Sequence, residues 1–72
     1  MPLVEVKVFR EELDAEQSQR LIARITDAVA EVTSERLREA TWVVIEEVGD
    51  GQWGVGGKAL ALADVKAMMA GG

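Results

Sequence analysis

The chain predicts an α/β (α+β) fold in which two parallel strands are joined by one long helix, followed by a glycine-rich hairpin and a short closing helix. Three observations predict it. The opening run Met1-Pro2-Leu3-Val4-Glu5-Val6-Lys7-Val8-Phe9 sets Val4, Val6 and Val8 alternately with Glu5 and Lys7, the period-two pattern of a half-buried strand. Leu21, Ile22, Ile25, Ala28, Val29 and Val32 recur at helical spacing, with Arg20, Arg24, Asp27 and Glu31 on the opposite side. Thr41-Trp42-Val43-Val44-Ile45 is β-branched and almost continuously apolar, so it reads as a second strand with both faces covered. A strand, a crossover helix and a strand form a right-handed unit in nearly all cases, which makes the two strands parallel.

Taken in order, Pro2 opens the first strand with the parity of the valines. Proline has no amide proton and is tolerated at the first residue of a strand, so its place has a purely structural explanation. It has a chemical one as well: with Met1 removed, Pro2 is a free secondary amine at the edge of an apolar face, able to accept a proton. After Arg10-Glu11-Glu12-Leu13, Asp14 and Gln17 have the spacing of a capping box, and the helix they start ends near Thr33. Ser34 to Ala40 is charged and irregular, with a helical turn around Arg36 to Arg38. Glu46-Glu47-Val48 carries the second strand out to solvent. Five glycines between Gly49 and Lys58 predict a hairpin or bulge with close backbone approach. Ala61 to Ala70 closes the chain as a weak helix with Ala61, Val65, Met68 and Met69 on one packing stripe, and Gly71 and Gly72 read as a frayed tail.

Composition narrows the function. Seventy-two residues make a single domain, 1–72, and a chain of this size buries only about 60 % of the surface its unfolded form exposes. Cysteine and histidine are both absent, which removes disulfides and the usual zinc constellations as staples. No metal and no cofactor is expected. One helix covers one face of a two-stranded sheet, leaving the other face and both edges bare, so the subunit is expected to assemble with copies of itself. A net charge of −5 and a pI near 4.6 argue against a nucleic-acid partner, which calls for a basic patch. No segment has the length of a membrane span or the form of a secretory signal, and a cytoplasmic protein is expected. Gly57-Lys58 fails as a phosphate-cradling loop, because Gln52 stands where the first glycine belongs and Ala59 follows the lysine. Ala59 likewise breaks the dinucleotide fingerprint.

Met1-Pro2 opening a strand, the single β-α-β unit and the Trp53-Gly54-Val55-Gly56-Gly57 hairpin together resemble the 4-oxalocrotonate tautomerase family of the tautomerase superfamily, over almost the whole chain. The resemblance implies a subunit that assembles through its strands into a homo-oligomer, commonly a hexamer built as a trimer of dimers. It also implies that exposed Pro2 is the general base of an enol–keto tautomerisation of a small 2-oxo acid, that Trp53 helps form the apolar wall of the site, often from another subunit, and that the backbone amide of Phe9 helps hold substrate. General-base work favours a pKa near working pH, and desolvation among valines lowers that of an amine.

The chain also departs from the family pattern. Well-known members carry one arginine shortly after the first strand and another in the second. Here the first region offers only Arg10, out of register, and Trp42 stands at the second position. Bidentate carboxylate recognition is thereby lost, which makes a dicarboxylate such as 2-hydroxymuconate doubtful. Arg36 and Arg38, just before the second strand, are candidates to reach a pocket in an adjoining subunit. Trp42 is either core or a second wall of the site. Two alternatives stay open: a hydratase or dehalogenase in which protonated Pro2 is the acid and Glu12, Glu46 or Glu47 activates water, and a non-catalytic oligomeric ligand-binding protein.

Overall fold

A computed structural model describes residues 1–71 of the chain; the reading of Gly72 as part of a frayed tail lies outside the described residues. Strand β1 (Leu3–Phe9) is followed by helix α1 (Ala15–Val32), a 3-10 turn (Glu35–Ala40), strand β2 (Trp42–Val48), the short strands β3 (Trp53–Val55) and β4 (Lys58–Leu60), and helix α2 (Leu62–Gly71). β1 and β2 pair in parallel, with Leu3 opposite Trp42 and Phe9 opposite Val48. β3 and β4 form a separate antiparallel hairpin, with Trp53 opposite Leu60. The β-α-β unit, hairpin and closing helix are as the sequence predicts. Gly71 differs: it is the last residue of α2 and not part of a tail.

Local chemistry sets the boundaries. At the start of α1 the Asp14 carboxylate accepts the Gln17 N–H at 2.7 Å while the Gln17 side chain accepts the Asp14 N–H at 3.0 Å. This reciprocal cap satisfies two of the donors that a helix start leaves free. The helix ends where the Thr33 hydroxyl and N–H both turn back onto the Val29 carbonyl, at 2.6 and 2.9 Å. Gly56 and Gly57 take φ of +59° and +84° between β3 and β4, a tight turn that a side-chain-bearing residue adopts only with strain.

The two faces of the sheet differ. Val4, Val6, Val43 and Ile45 are half-buried and Val8 is buried, on the side that α1 covers. On the other side Leu3, Glu5, Lys7, Trp42 and Val44 are exposed. The sequence predicts that both faces of β2 are covered, but within one chain only the Val43/Ile45 face is, because a single helix can pack on one side only. Phe9 is the exception on the bare side, being only 3 % exposed, because Trp53 from the hairpin stacks on it with ring centroids 5.0 Å apart.

Among the described residues the buried core is small, consisting of Val8, Phe9 and Ala30. The radius of gyration is 14.8 Å, against about 11 Å for a compact chain of this length. Val32, placed on the packing stripe of α1 by its spacing, is 83 % exposed because it lies in the last turn, beyond the sheet. Met68 and Met69 are exposed too, since α2 packs little on the rest of the chain. Among the described residues, no helix is long and apolar enough to cross a membrane.

If the reciprocal cap sets the start of α1, Asp14→Ala is expected to cost about 1 kcal/mol and to lower the thermal midpoint by about 4–8 °C in a domain of this size. Calorimetry checks this, and an unchanged midpoint would place the start of the helix under other control.

Candidate active site

The residues singled out in the sequence gather at the two ends of β1. At its start, the Pro2 carbonyl accepts the Trp42 N–H at 2.9 Å, which extends the ladder by one residue and fixes the backbone of Pro2 beside β2. Pro2 itself is half-buried, with the burial of the valines whose parity it shares. Met1 projects from this anchored proline and is 84 % exposed. Trp42 is 59 % exposed, so it is not core within the chain; its backbone adjoins Pro2, while its pairing with Leu3 sets its indole on the bare face of the sheet, opposite the face that Pro2 shares with the valines.

Arg38 lies near this end of the molecule, in the 3-10 turn that leads into β2. It does not project freely. Its Nε donates to Glu35 at 2.7 Å and its Nη1 to Asp27 on α1 at 2.6 Å. These two carboxylates, Glu35 first, push the guanidinium pKa further above its already high ordinary value. The clamp ties the 3-10 turn to α1 and commits the fork of donors that a substrate carboxylate needs.

At the far end of β1, a tight turn folds back on itself. The Phe9 carbonyl accepts the Glu12 N–H at 3.0 Å, and the Glu12 carboxylate in turn accepts the Phe9 N–H at 3.0 Å. Glu11 between them has φ of +68°, a left-handed conformation that costs a non-glycine residue roughly 1–2 kcal/mol. Its N–H donates to the Glu47 carboxylate at 3.0 Å. Arg10 turns its guanidinium toward Gly49, 3.6 Å from where a Cβ there would stand. It lines an open cleft of about 500 Å³ together with Glu11, Gly49, Asp50, Gln52 and Leu62. Trp53 closes the apolar side of this end through its stack on Phe9.

The structure thus brings Phe9, Arg10 and Trp53 together, and separately Pro2 and Trp42. Within one chain the two groups do not meet, since seven residues of extended strand separate Pro2 from Phe9 by about 23 Å. The amide of Phe9 is also not vacant, because Glu12 holds it. The three carboxylates considered for water activation are all engaged: Glu12 by Phe9, Glu47 by Glu11, and Glu46 by Lys7 at 3.1 Å. Sequence reasoning missed the roles of Glu12, Asp27 and Glu35. The i,i+3 spacing of Glu35 and Arg38 is a readable signal, whereas Asp27 meets Arg38 only through the packing of α1 against the 3-10 turn.

The model of the tautomerase enzyme family matches residues 2–63, the greater part of the chain and beginning at Pro2. The chain belongs to the tautomerase family. A protein of Halalkalibacterium halodurans named as a probable tautomerase is 43 % identical over 61 residues, covering 85 % of this chain and 97 % of the relative. Its namesake in Staphylococcus aureus strain Mu50 is 42 % identical over 57 residues, 79 % of this chain and 90 % of the relative. Among solved structures, YwhB, a homologue of 4-oxalocrotonate tautomerase, superposes with a TM-score of 0.70 at 36 % identity, covering 88 % of this chain and 97 % of the other. DmpI from Helicobacter pylori does so with a TM-score of 0.72 at 28 % identity, covering 81 % and 94 %. The chain therefore shares both fold and sequence with these proteins along nearly their full length.

If Glu12 guards the Phe9 amide, Glu12→Ala is expected to speed hydrogen exchange at Phe9 by about tenfold or more, the equivalent of one lost hydrogen bond to a charged group. Glu12→Gln, which keeps an acceptor, should change it less. Unchanged exchange in Glu12→Ala, read by NMR, would assign the protection to burial under Trp53 instead.

Proposed function

We propose that this tautomerase interconverts the enol and keto forms of a small 2-oxo acid, with the secondary amine of Pro2, freed by removal of Met1, as the general base. The observation that carries the reading is Pro2 itself. In a chain of this family it heads β1, half-buried and anchored through its carbonyl to Trp42, while Met1 stands out in solvent where it can be cleaved.

The chemistry follows from that placement. An ordinary terminal amine has a pKa of about 7.7–8.0, and a prolyl secondary amine is intrinsically more basic. Partial burial beside the valine face disfavours the ammonium and draws the pKa toward neutrality. The free amine then takes the enol hydroxyl proton and returns a proton to carbon, so that the C=C–OH unit becomes HC–C=O without loss or gain of atoms. Arg10 is the cation placed to hold the substrate carboxylate, and Trp42 and Trp53 supply apolar walls. Arg38 remains a weaker candidate for the site, since binding substrate would require it to leave Asp27 and Glu35. Phe9 contributes its ring under Trp53, and its amide only after Glu12 gives way.

Because Pro2 and the Phe9–Trp53 end lie too far apart within one chain, the working site in this reading is shared between copies, Pro2 from one and Arg10 and Trp53 from another. The bare sheet face carrying Leu3, Trp42 and Val44, the exposed apolar side chains of α2 and the small core support a homo-oligomer, which we take to be a hexamer assembled as a trimer of dimers in the cytoplasm.

Pro2→Ala is expected to lose most of the proton-transfer rate toward phenylenolpyruvate, on the order of a hundredfold or more for loss of a general base, with the assembly intact by size-exclusion chromatography. An unchanged rate would remove Pro2 from the mechanism. The rate of the unaltered enzyme should fall as pH drops through the amine's pKa, because the ammonium has no lone pair. A rate that instead rises with protonation would favour the acid role of a hydratase. A chain that retains Met1 should be inactive, since the Pro2 nitrogen is then an amide; intact mass together with the rate settles that point.

A further inference from the structure

Arg10 is the only cation among the residues that line the open cleft at the end of β1, and it has no ion-pair partner among the described residues. An exposed arginine side chain has enough rotamer freedom to point in many directions, so its aim depends on how firmly its backbone is held. β2 holds that backbone on both sides of the Arg10 Cα. The Arg10 N–H donates to the Val48 carbonyl at 2.9 Å, which carries the parallel ladder one residue past β1. The next N–H, that of Glu11, donates to the Glu47 carboxylate at 3.0 Å. Glu11 has φ of +68°, and a non-glycine residue keeps such a conformation only where its surroundings impose it. The bonds between Phe9 and Glu12 span the turn, whereas the charge-assisted bond to Glu47 acts at the strained residue itself. With the turn held in this way, the guanidinium lies over Gly49, where a Cβ would stand 3.6 Å from both of its terminal nitrogens.

We propose that Glu47 is a positioning residue: it holds the left-handed turn at Glu11 and thereby keeps the Arg10 guanidinium aimed into the cleft, where it takes the substrate carboxylate. The inference rests on the reading of Arg10 as the cation that holds that carboxylate. It assigns Glu47 a geometric role, distinct from the water activation that a hydratase would ask of it. What the role requires is an acceptor oxygen at the reach of a glutamate side chain, not a negative charge. Glutamine therefore meets the requirement, and aspartate, one methylene shorter, does not. The carboxylate of a 2-oxo acid keeps its charge through the enol–keto exchange, so Arg10 binds ground state and transition state alike. Misaiming it weakens that uniform binding, which raises KM and leaves kcat in place.

The test measures kcat and KM for ketonisation of phenylenolpyruvate by the mature oligomer freed of Met1, in the unaltered chain and in variants at Glu47 and Arg10. Glu47→Ala and Glu47→Asp are expected to raise KM about tenfold, the equivalent of one hydrogen bond to a charged group, while kcat and its pH profile hold. Glu47→Gln should recover most of that loss. Arg10→Ala should raise KM at least as much, and Glu47→Ala added to it should raise KM no further, because Glu47 acts only through Arg10. An unchanged KM in Glu47→Ala, additive increases in the double variant, or a fall in kcat at constant KM in Glu47→Gln would each overturn the positioning role and leave that of Pro2 standing. An unchanged KM in Arg10→Ala would remove Arg10 as the carboxylate holder, and the role of Glu47 with it. Turnover by the unaltered oligomer no faster than in buffer would overturn the tautomerase reading and the positioning together. Should Glu47→Ala fail to assemble, Glu47→Asp and Glu47→Gln, which keep a polar side chain at this exposed position, carry the comparison.

Discussion

A β-strand cannot bring its own ends together. β1 is the element that carries Pro2 at one end and the Phe9–Arg10 turn at the other, and its extension keeps them about 23 Å apart. The remaining elements work within that separation. The parallel pairing with β2 sets Trp42 beside Pro2 and Val48 beside Phe9, so each end of β1 acquires its own neighbours from β2. The hairpin then brings Trp53 onto Phe9, forming the cluster that the proposed function pairs with Pro2 of another copy. The same constraint accounts for the thinness of the fold. A two-stranded sheet with one helix leaves one face uncovered, and Leu3, Trp42 and Val44 on that face are the apolar area a second copy can bury.

Several charged groups are committed within the chain. Lys7 pairs with Glu46 across the two strands, and Arg38 bridges α1 and the 3-10 turn. Exposed pairs of this kind contribute little stability each, but they decide which donors a ligand can still engage. Two carboxylates at the Phe9 end are used on the backbone: Glu12 closes the turn on Phe9, and Glu47 holds the N–H of Glu11 in its left-handed conformation. Arg10 is left facing the open cleft.

Much of the fold was legible because local signals agreed with one another. The alternation from Val4 to Val8, the Asp14/Gln17 cap, the β-branched run at Val43 to Ile45 and the glycines around Trp53 each pointed to the element that is present. Less was legible where packing between distant elements decides the outcome. Spacing alone puts Val32 and the two methionines on packing stripes, yet all three are largely exposed. The continuous apolar run of β2 suggested two covered faces, whereas a single chain covers one. At the site, Pro2, Trp42, Phe9, Arg10 and Trp53 could be picked out by residue type, but their division into two groups depends on the length of β1 combined with the parallel register. The Asp27 half of the clamp on Arg38 is beyond sequence reasoning because Asp27 lies eleven residues away, on another helix.

That the working site is built from two copies, Pro2 of one and the Phe9–Trp53 end of another, is the central claim, and subunit complementation tests it most directly. Oligomers of Pro2→Ala and of Trp53→Ala, each of low activity, are dissociated, mixed and reassembled. Shared sites predict that mixing restores activity, because some hybrid sites combine an intact Pro2 with an intact Trp53. Mixed assemblies that form normally but stay as inactive as their parents would contradict the claim.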